Sequence, residues 1–377
     1  MIQEEPFSIM IRFRKHIYAF TDDIEKMFRR IEILTSQTKY QKILWKEDEN
    51  KPIEICRLKT VTYGTACAPY LAQRNLQQLA KDEEKDFPVA SKVVLEDFYV
   101  DDSLTGSSNL KECIKLQKNL TELLQRGGMK LHQWCTSFHS QNSDLQNFSF
   151  DRNSNTTVKT LGMLWNNKKD TLQYKVTVNE KPDVTKRDVL SHIARLYDPL
   201  GVLGPIISKA KIFMQTLWLL KLDWAEQLPP PLANEWNLFI KTLHSVENIQ
   251  VPRCILKETF SMLILQGFAD ASEKAFGAVI YLQSITSPGE YCSKLLCSKS
   301  RVAPIKTMTI PRLELSGCLL MSKLMQKVLE ALKLKIDEVK LWSDSSIALA
   351  WINTSPHLLK TFVSNRVSQI QQLASNY

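Results

Sequence analysis

The chain lacks the cysteine and histidine spacings of a structural zinc site. Its eight cysteines include no pair separated by two residues, and no histidine stands at zinc-finger spacing from any of them. We therefore expect reduced, mostly buried thiols. The Asp-Ser/Thr-Gly triplet that an aspartic peptidase needs is also missing.

Long apolar runs are absent as well. The most apolar stretch, residues 217–222, is interrupted by Lys221 and is far shorter than the ~20 residues that span a bilayer. The first residues carry acids before the apolar positions and no small-residue cleavage site, so they do not resemble a signal peptide. We expect no secretion and no membrane partner; the location inside the cell, cytoplasmic, nuclear or both, stays open.

The composition is that of a folded protein with a basic surface. The 377 residues are 44% hydrophobic and 24% charged, which at ~150 residues per domain predicts two or three domains. The formal charge is +9, and such an excess attracts polyanions, so nucleic acid is the first partner to consider. A basic but inert surface is the alternative.

The first part of the chain mixes strand and helix patterns. Residues 11–20 and 93–100 are β-rich, whereas 69–85 have a helical pattern, which predicts an α+β unit. Asn109 is placed to cap a helix that ends at the Gly127-Gly128 pair. The next elements predicted are a strand at 129–135, a polar loop, a strand at 158–165 and a hairpin near 166–170.

The second part begins with helices and ends with alternating elements. Thr185 and Asp188 form a possible capping box, and the three prolines at 229–231 suggest a linker before a helix at about 236–243. From about residue 259, segments 263–272 and 274–283 predict a hairpin, and strand and helix patterns then alternate. No internal repeat is found.

Two adjacent acids, Asp101 and Asp102, follow the β-rich run and precede a turn-like Ser-Leu-Thr-Gly. Since neighbouring side chains on a strand point to opposite faces, both serve one cation site only if the chain turns in a tight hairpin. A third carboxylate must come from elsewhere, and Asp22 and Asp23 follow another β-rich run. The alternative is a solvated turn with side-chain-to-backbone hydrogen bonds.

These motifs stand in the order found in reverse transcriptases: an Asp five residues before an aromatic (Asp23 and Phe28), then VTYGTACAP, then YVDD. The chain most resembles the BEL/Pao family of long-terminal-repeat retrotransposons. The resemblance covers nearly the whole chain, and its shared phrases are DIEKMF, PYLAQRNLQQLA, YVDD, LYDPLG and SRVAPIKTMTIPRLEL.

The resemblance implies a polymerase palm in which Asp23, Asp101 and Asp102 hold two Mg²⁺ ions, with Mn²⁺ as a possible substitute. Its partners would be an RNA template, a DNA primer, the RNA–DNA hybrid and deoxynucleoside triphosphates. The spacing to Phe28 selects Asp23 rather than Asp22 as the ligand. We therefore expect Asp22 to be exposed.

The same resemblance implies substrate contacts. Phe28 would block a ribose 2′-hydroxyl, Tyr63 and Gly64 would line the nucleotide pocket, and Tyr99 would touch the primer terminus or template. Phe28 could instead be a core residue, and Tyr99 could pack against the sheet. Residues 161–165 resemble the primer-holding strand pair beyond the active site.

A second set of acids lies near the C-terminus: Asp270 at a strand end, Glu314 near a helix start and Asp344 after another strand. This order resembles ribonuclease H, in which three carboxylates converge on two Mg²⁺ ions. Glu314 could instead complement a helix N-terminus, and Asp344 could cap the following helix. Four basic residues that precede Glu314 could meet the phosphates of a hybrid, namely Lys294, Lys299, Arg301 and Lys306.

The expected architecture is an α+β reverse transcriptase palm at 1–165, a mostly helical thumb/connection at 166–258, and an α/β ribonuclease H-like domain at 259–377. The connection is often labelled a Pao peptidase. Both ends are expected to be truncated, without most of the fingers, the fourth nuclease acid or the integrase region. The expected function is RNA-directed DNA polymerase with ribonuclease H; the alternative is an inactive polyprotein remnant that binds nucleic acid without turnover.

Two lesser hypotheses are that only the C-terminal domain acts, by nicking RNA in hybrids, and that the chain is a domesticated peptidase.

Overall fold

The computed structural model describes residues 3–138, 157–178, 180–286, 289–375 and 377, and it divides them between two units. The first unit comprises Met1–Ile9, His16–Leu161 and Asn167–Lys169, and the second comprises Met10–Lys15, Gly162–Asn166 and Asp170–Tyr377. Helix α1 (Pro6–Phe13) therefore gives its later residues to the second unit. No helix within the described residues combines the length and the apolar character needed to cross a bilayer.

The first unit is built around a four-stranded sheet of order β4-β5-β1-β6. Its central strands β1 and β5 pair antiparallel, and β1 also pairs antiparallel with β6. The strands are β1 (Tyr18–Ile24), β4 (Phe98–Tyr99), β5 (Asp102–Ser107) and β6 (Leu131–Thr136). A separate hairpin joins β2 (Lys42–Trp45) and β3 (Glu54–Arg57), and β7 is Thr157–Thr160.

Three helices of the first unit bury apolar faces in one hydrophobic core. They are α2 (Ala68–Asp82), α3 (Pro88–Glu96) and α4 (Leu110–Arg126). The core includes Phe20 and Ile24 from β1. The predicted cap of α4 is confirmed, because the Asn109 side chain accepts hydrogen bonds from the amides of Lys111 and Glu112.

The second unit begins with a small sheet and three helices. The sheet contains β8 (Met163–Asn166), β9 (Thr171–Gln173) and β10 (Gln250–Pro252). The helices are α5 (Lys186–Ala194), α6 (Gly204–Leu219) and α7 (Pro230–Leu243). The predicted capping box of Thr185 and Asp188 is confirmed at the start of α5.

The remainder of the second unit is a mixed sheet of order β13-β12-β11-β14. The strands are β11 (Met262–Ala271), β12 (Ala275–Ile285), β13 (Tyr291–Val302) and β14 (Glu338–Trp342), and the helices are α8 (Ile310–Leu332), α9 (Ser346–Ile352) and α10 (Thr361–Ala374). The predicted hairpin β11–β12 is confirmed. Since β14 runs parallel to β11, the chain must cross over between them, and α8 makes that crossover.

Four local predictions were wrong. The runs at 11–20 and 93–100 were expected to be β-rich throughout, but their first residues form the C-terminal ends of α1 and α3. The apolar residues there pack as helix faces, and the strands start only after the helices end. The prolines at 229–231 start α7 rather than link domains, since proline fits the first helical turn. The run 158–165 is split into β7 and β8 by positive φ angles at Leu161 and Gly162.

A buried pair of arginines holds the start of the second unit together. Arg253, whose side chain is fully buried, forms a two-pronged ion pair with Asp170 at 2.6 and 2.7 Å and donates to the carbonyl of Phe13 at 2.7 Å. Arg14 donates to the carbonyls of Arg253 and Leu296, and burial lowers the pKa of Arg14 to about 10. This network connects α1, the small sheet and β13.

Replacing Asp170 with asparagine should lower the free energy of unfolding by about 3 kcal/mol, because it leaves the Arg253 charge buried without its carboxylate. Urea denaturation measures the loss. Glu338→Gln, which breaks the exposed pair with Lys340, should change it by less than about 1 kcal/mol. Equal effects of the two substitutions would contradict this role of Asp170.

Candidate metal sites

The first carboxylate cluster consists of Asp23, Asp101 and Asp102, and the structure brings all three together. Each offers one oxygen, and these oxygens lie within 4.8 Å of one another. Asp23 is the direct partner of Asp102 across the β1–β5 pair, and Asp101 lies in the turn between β4 and β5. Three partly buried carboxylates therefore converge at the end of a sheet.

The turn that carries Asp101 is the expected tight hairpin. Tyr99 pairs with Asp102, so that only Val100 and Asp101 connect the two strands. Val100 has a φ of 58°, a left-handed conformation that is costly for a β-branched residue. Two hydrogen bonds hold this turn: Gln73 of α2 donates to the Val100 carbonyl at 3.4 Å, and the Ile24 amide donates to the Asp101 carbonyl at 3.0 Å.

The electrostatics of the first cluster favour a bound cation. Burial, followed by the charge of Asp101, raises the pKa of both Asp23 and Asp102 to about 6. One buried oxygen of Asp23 has no hydrogen-bond partner among the described residues. Hard oxygen ligands grouped in this way suit Mg²⁺ or Mn²⁺, so the residues present fit the expected metal.

His132 and Gln73 are site residues that the sequence reasoning missed. The Nδ1 atom of His132 lies 3.0 Å from the Asp23 carbonyl oxygen and 3.6 Å from its carboxylate. Its proximity offsets part of the increase in the pKa of Asp23. Gln73 lies within the shared phrase PYLAQRNLQQLA, but nothing in that phrase marks it as a site residue. His132 belongs to none of the shared phrases; the pairing of β1 with β6 brings it to the site.

The expectation that Asp22 is exposed was wrong. Asp22 is only 3% exposed, because alternation along β1 places it on the same face as Phe20 and Ile24, which enter the hydrophobic core. It faces Ser103 across the strand pair, and burial raises its pKa to about 7. Asp23, on the opposite face, is free to join the cluster.

The predicted substrate residues occupy different environments. Phe28 is half-buried against the hydrophobic core, whereas Tyr63 is 61% exposed and accepts a hydrogen bond from Arg29 at 3.3 Å. Gly64 has a φ of 89° with open space around it, and Tyr99 is half-buried next to the turn. Their roles toward a substrate stay predictions.

The second carboxylate cluster consists of Asp270, Glu314 and Asp344, and these also come together within 4.8 Å. Asp270 is the penultimate residue of β11, Glu314 lies in the first turns of α8, and Asp344 follows β14. Because β11 and β14 are parallel neighbours, their carboxyl ends reach the same edge of the sheet. The helix α8 passes close to that edge at Gly317, which faces the Asp270 carbonyl.

The second cluster also fits a divalent cation. Burial, then the charges of Asp270 and Asp344, raises the pKa of Glu314, and one buried oxygen of Glu314 has no hydrogen-bond partner among the described residues. The alternative of Asp344 as a helix cap was wrong. Ser345 directly precedes α9, and its hydroxyl accepts the hydrogen bond from Ala348. The Asp344 carboxylate is exposed.

Of the basic residues predicted near this cluster, Lys294, Lys299 and Arg301 lie on β13, and Lys306 lies in the segment that follows it. Lys299, Arg301 and Lys306 are exposed. They are therefore available to solvent and to a polyanion.

Residues 185–345 match the family model of the Pao retrotransposon-like RNaseH-like domain, a range that includes all three acids of the second cluster. This segment is similar to that domain family, and the match covers less than half of the chain. The predicted resemblance to BEL/Pao polyproteins is thus confirmed. The Pao match begins before the predicted boundary at residue 258 and includes α5, α6 and α7. No curated protein matches the chain.

Two solved structures of a foamy viral protease-reverse transcriptase are similar to this chain. The complex with an RNA/DNA hybrid has a TM-score of 0.58 and 15% identity over 98% of this chain and 44% of that one. The complex of the dRH form with double-stranded DNA also has a TM-score of 0.58 and 15% identity, over 99% of this chain and 58% of that one. The chain spans about half the length of these proteins. At this identity the likeness shows a shared mixed α/β fold.

Replacing Asp102 with asparagine should stabilise the metal-free protein at pH 7.5. The pKa of the Asp102 carboxyl is about 6 in the folded chain and about 3.9 in the unfolded chain. The free energy of unfolding of the parent therefore falls as the pH rises from about 4 to about 6. The variant avoids this loss, which we expect to be about 1 kcal/mol once solvent screening is included.

Urea denaturation in chelator at pH 4.5 and 7.5 measures this difference. The exposed Glu84→Gln serves as the control and should show no such pH dependence. A variant less stable than the parent at pH 7.5 would show that the clustered charges impose no strain on the fold.

Proposed function

We propose that the first unit is the palm of an RNA-directed DNA polymerase, whose site is formed by Asp23, Asp101 and Asp102. The observation that carries this proposal is the convergence of three partly buried carboxylates, one on β1 and two at the β4–β5 hairpin, in a chain whose fold is similar to that of a reverse transcriptase. We further propose the division into palm, thumb/connection and ribonuclease H-like domain at 165 and 258.

The carboxylates of the first cluster would hold two Mg²⁺ ions. Bound there, the ions would lower the pKa of a primer 3′-hydroxyl and offset the charge of a deoxynucleoside triphosphate. The chain's own contribution is to hold the ligands in place: the Gln73 bond to the hairpin turn fixes Asp101, and His132 lies against Asp23. The raised pKa values of Asp23 and Asp102 indicate that the protein alone compensates the charges of this cluster poorly.

The substrate contacts follow from the same proposal. Phe28, packed firmly against the core, would act as a fixed barrier to a ribose 2′-hydroxyl. Tyr63 and Gly64 would line the nucleotide pocket. The exposed Tyr63 side chain and the open space beside the Gly64 backbone leave room for a ligand there. Tyr99 would contact the primer terminus or the template.

A second function is favoured by the second cluster. We propose that Asp270, Glu314 and Asp344 form a ribonuclease H site that cleaves RNA in an RNA–DNA hybrid. The Pao RNaseH-like match and the cation-compatible geometry support this assignment. The foamy viral proteins were captured with an RNA/DNA hybrid and with double-stranded DNA, and the charge of +9 is consistent with such partners here.

The competing proposal is a retrotransposon remnant that binds nucleic acid without turnover. It predicts salt-sensitive binding to hybrid duplexes and no synthesis, since phosphate contacts alone suffice for such binding. Activity measurements on intact, folded protein separate the two proposals.

Primer extension on an RNA template in Mg²⁺ tests the polymerase. The Asp101→Asn chain should lose about a hundredfold or more of the parent's extension rate, because it removes a ligand whose metal supplies several kcal/mol of charge stabilisation. Asp48→Asn, the same change at an exposed position, should extend like the parent.

Equal extension by Asp101→Asn and the parent would remove Asp101 from the site. A folded parent that binds hybrid but extends no primer would instead support the remnant. Circular dichroism of both variants verifies that the chains are folded.

A further inference from the structure

Helices α5, α6 and α7 of the second unit meet at the buried side chain of Trp236, which lies on α7. The Trp236 ring stacks on Phe213 of α6 and on Phe239 of α7, in both cases with ring centroids 5.0 Å apart. It also forms a hydrogen bond with His192 of α5. We call these four side chains the Trp236 junction. One of them is titratable, and neither carboxylate cluster uses it.

The hydrogen bond in the junction determines the protonation state of His192. The Nε1–H group of Trp236 donates to Nδ1 of His192 at 3.2 Å, and the two ring planes are 10° apart. Because an indole nitrogen can only donate, Nδ1 must accept, and the single proton of the neutral imidazole is on Nε2. His192 is only 4% exposed, and Trp236 only 1%. The junction therefore holds a neutral imidazole in a buried position.

A second proton on His192 is incompatible with this geometry. A protonated Nδ1 is a donor, so its N–H would face the N–H of Trp236, and neither group could accept. The imidazolium would also be a buried charge, which costs free energy unless it is paired or hydrated. Water reaches His192 only if α5 and α7 separate. Protonation thus favours an open form of the junction.

The charges near the junction do not offset an imidazolium. On α5, the Asp188 carboxylate accepts from the amide and the hydroxyl of Thr185 and pairs with Lys181 at 2.6 Å, so it is already engaged. Burial is the main cause that lowers the pKa of His192; Asp188 raises it, whereas Arg195 and Lys181 lower it. Helices α6 and α7 contribute aromatic rings to the junction, and their charged side chains are exposed, namely Lys209, Lys211, Glu235 and Lys241.

The contacts of α6 indicate which helices can move. Ser208 donates to the Ser300 hydroxyl at 2.7 Å, and the Gln215 side chain donates to the Ala303 carbonyl at 2.7 Å, so α6 is held along β13 and the segment after it. The bond between His192 and Trp236 is, in contrast, a direct link between α5 and α7. Loss of this bond should therefore separate α7 from α5 while α6 stays on the sheet.

We propose that the Trp236 junction is an acid-sensitive switch, in which protonation of His192 breaks its hydrogen bond to Trp236 and releases α7 from α5. The switch does not depend on the proposed polymerase or nuclease activity. Its three helices lie within residues 185–345, the range that matches the Pao RNaseH-like model.

The pH dependence has a definite direction. The pKa of His192 in the closed junction lies below the ordinary value of about 6.5 that the side chain regains when the junction opens, so the open form binds the extra proton. The closed form is therefore fully stable above about pH 6.5 and loses stability as the pH falls below that value. Between pH 7.5 and 5.5 the open population should rise by up to about tenfold.

Hydrogen–deuterium exchange of the full metal-free chain at pH 7.5 and 5.5, corrected for intrinsic exchange rates, measures this opening in α5 and α7. The parent should show the rise of up to about tenfold. His192→Asn should show none, because its amide oxygen can accept from Trp236 but does not titrate. His357→Asn, the same change at an exposed histidine, is the matched control and should behave like the parent.

Trp236→Phe provides a second test, because it removes the N–H that a protonated His192 would face. Its rise in exchange between pH 7.5 and 5.5 should be smaller than that of the parent. No rise in the parent, or an equal rise in the parent and in folded His192→Asn, would overturn the switch. Should His192→Asn fail to fold at pH 7.5, an equal rise in the parent and in Trp236→Phe would overturn it.

Discussion

Strand register holds like-charged carboxylates together against their mutual repulsion, and both candidate sites depend on it. In the first unit an antiparallel register sets Asp23 directly opposite Asp102, and a two-residue turn adds Asp101. In the second, parallel pairing brings the ends of β11 and β14 to one edge. Burial and charge proximity disfavour ionised carboxylates, as the raised pKa values of Asp23, Asp102 and Glu314 show. The folds must offset that cost, and a divalent cation would remove it.

The supports of the two clusters differ. The first relies on a left-handed Val100 held by hydrogen bonds from α2 and β1. The second relies on a long helix that crosses between parallel strands and packs closely at Gly317. The Arg253–Asp170 pair ties the chain's early residues into that second unit. Side chains distant in sequence therefore maintain geometry that short motifs alone do not specify.

Much of the fold could be predicted because its signals are local. The cap at Asn109, the capping box at Thr185 and the hairpin at Asp101 each depend on residues within a few positions. The runs at 11–20 and 93–100 were misjudged because β-branched and aromatic residues also fill helix faces in a tertiary core. The burial of Asp22 was mispredicted for a related reason. Motif spacing suggested that Asp22 is exposed, whereas the alternation of side chains along β1 places it in the interior.

The sequence pointed to the six acids that the structure groups into two clusters, but not to their surroundings. His132 and Gln73 reach the first cluster only through the pairing of β1 with β6 and the packing of α2. The Trp236 junction likewise arises from the packing of α5, α6 and α7. No sequence spacing encodes these long-range contacts, so they emerge only when the chain is folded.

The most direct test of the account is a Mn²⁺ titration of the metal-free chain at pH 7.5, followed by calorimetry, for the parent, Asp102→Asn and Asp344→Asn. The account predicts two classes of site, of which each substitution removes one and leaves the other. Titration curves that both substitutions leave unchanged would contradict the claim that these carboxylate clusters are metal sites.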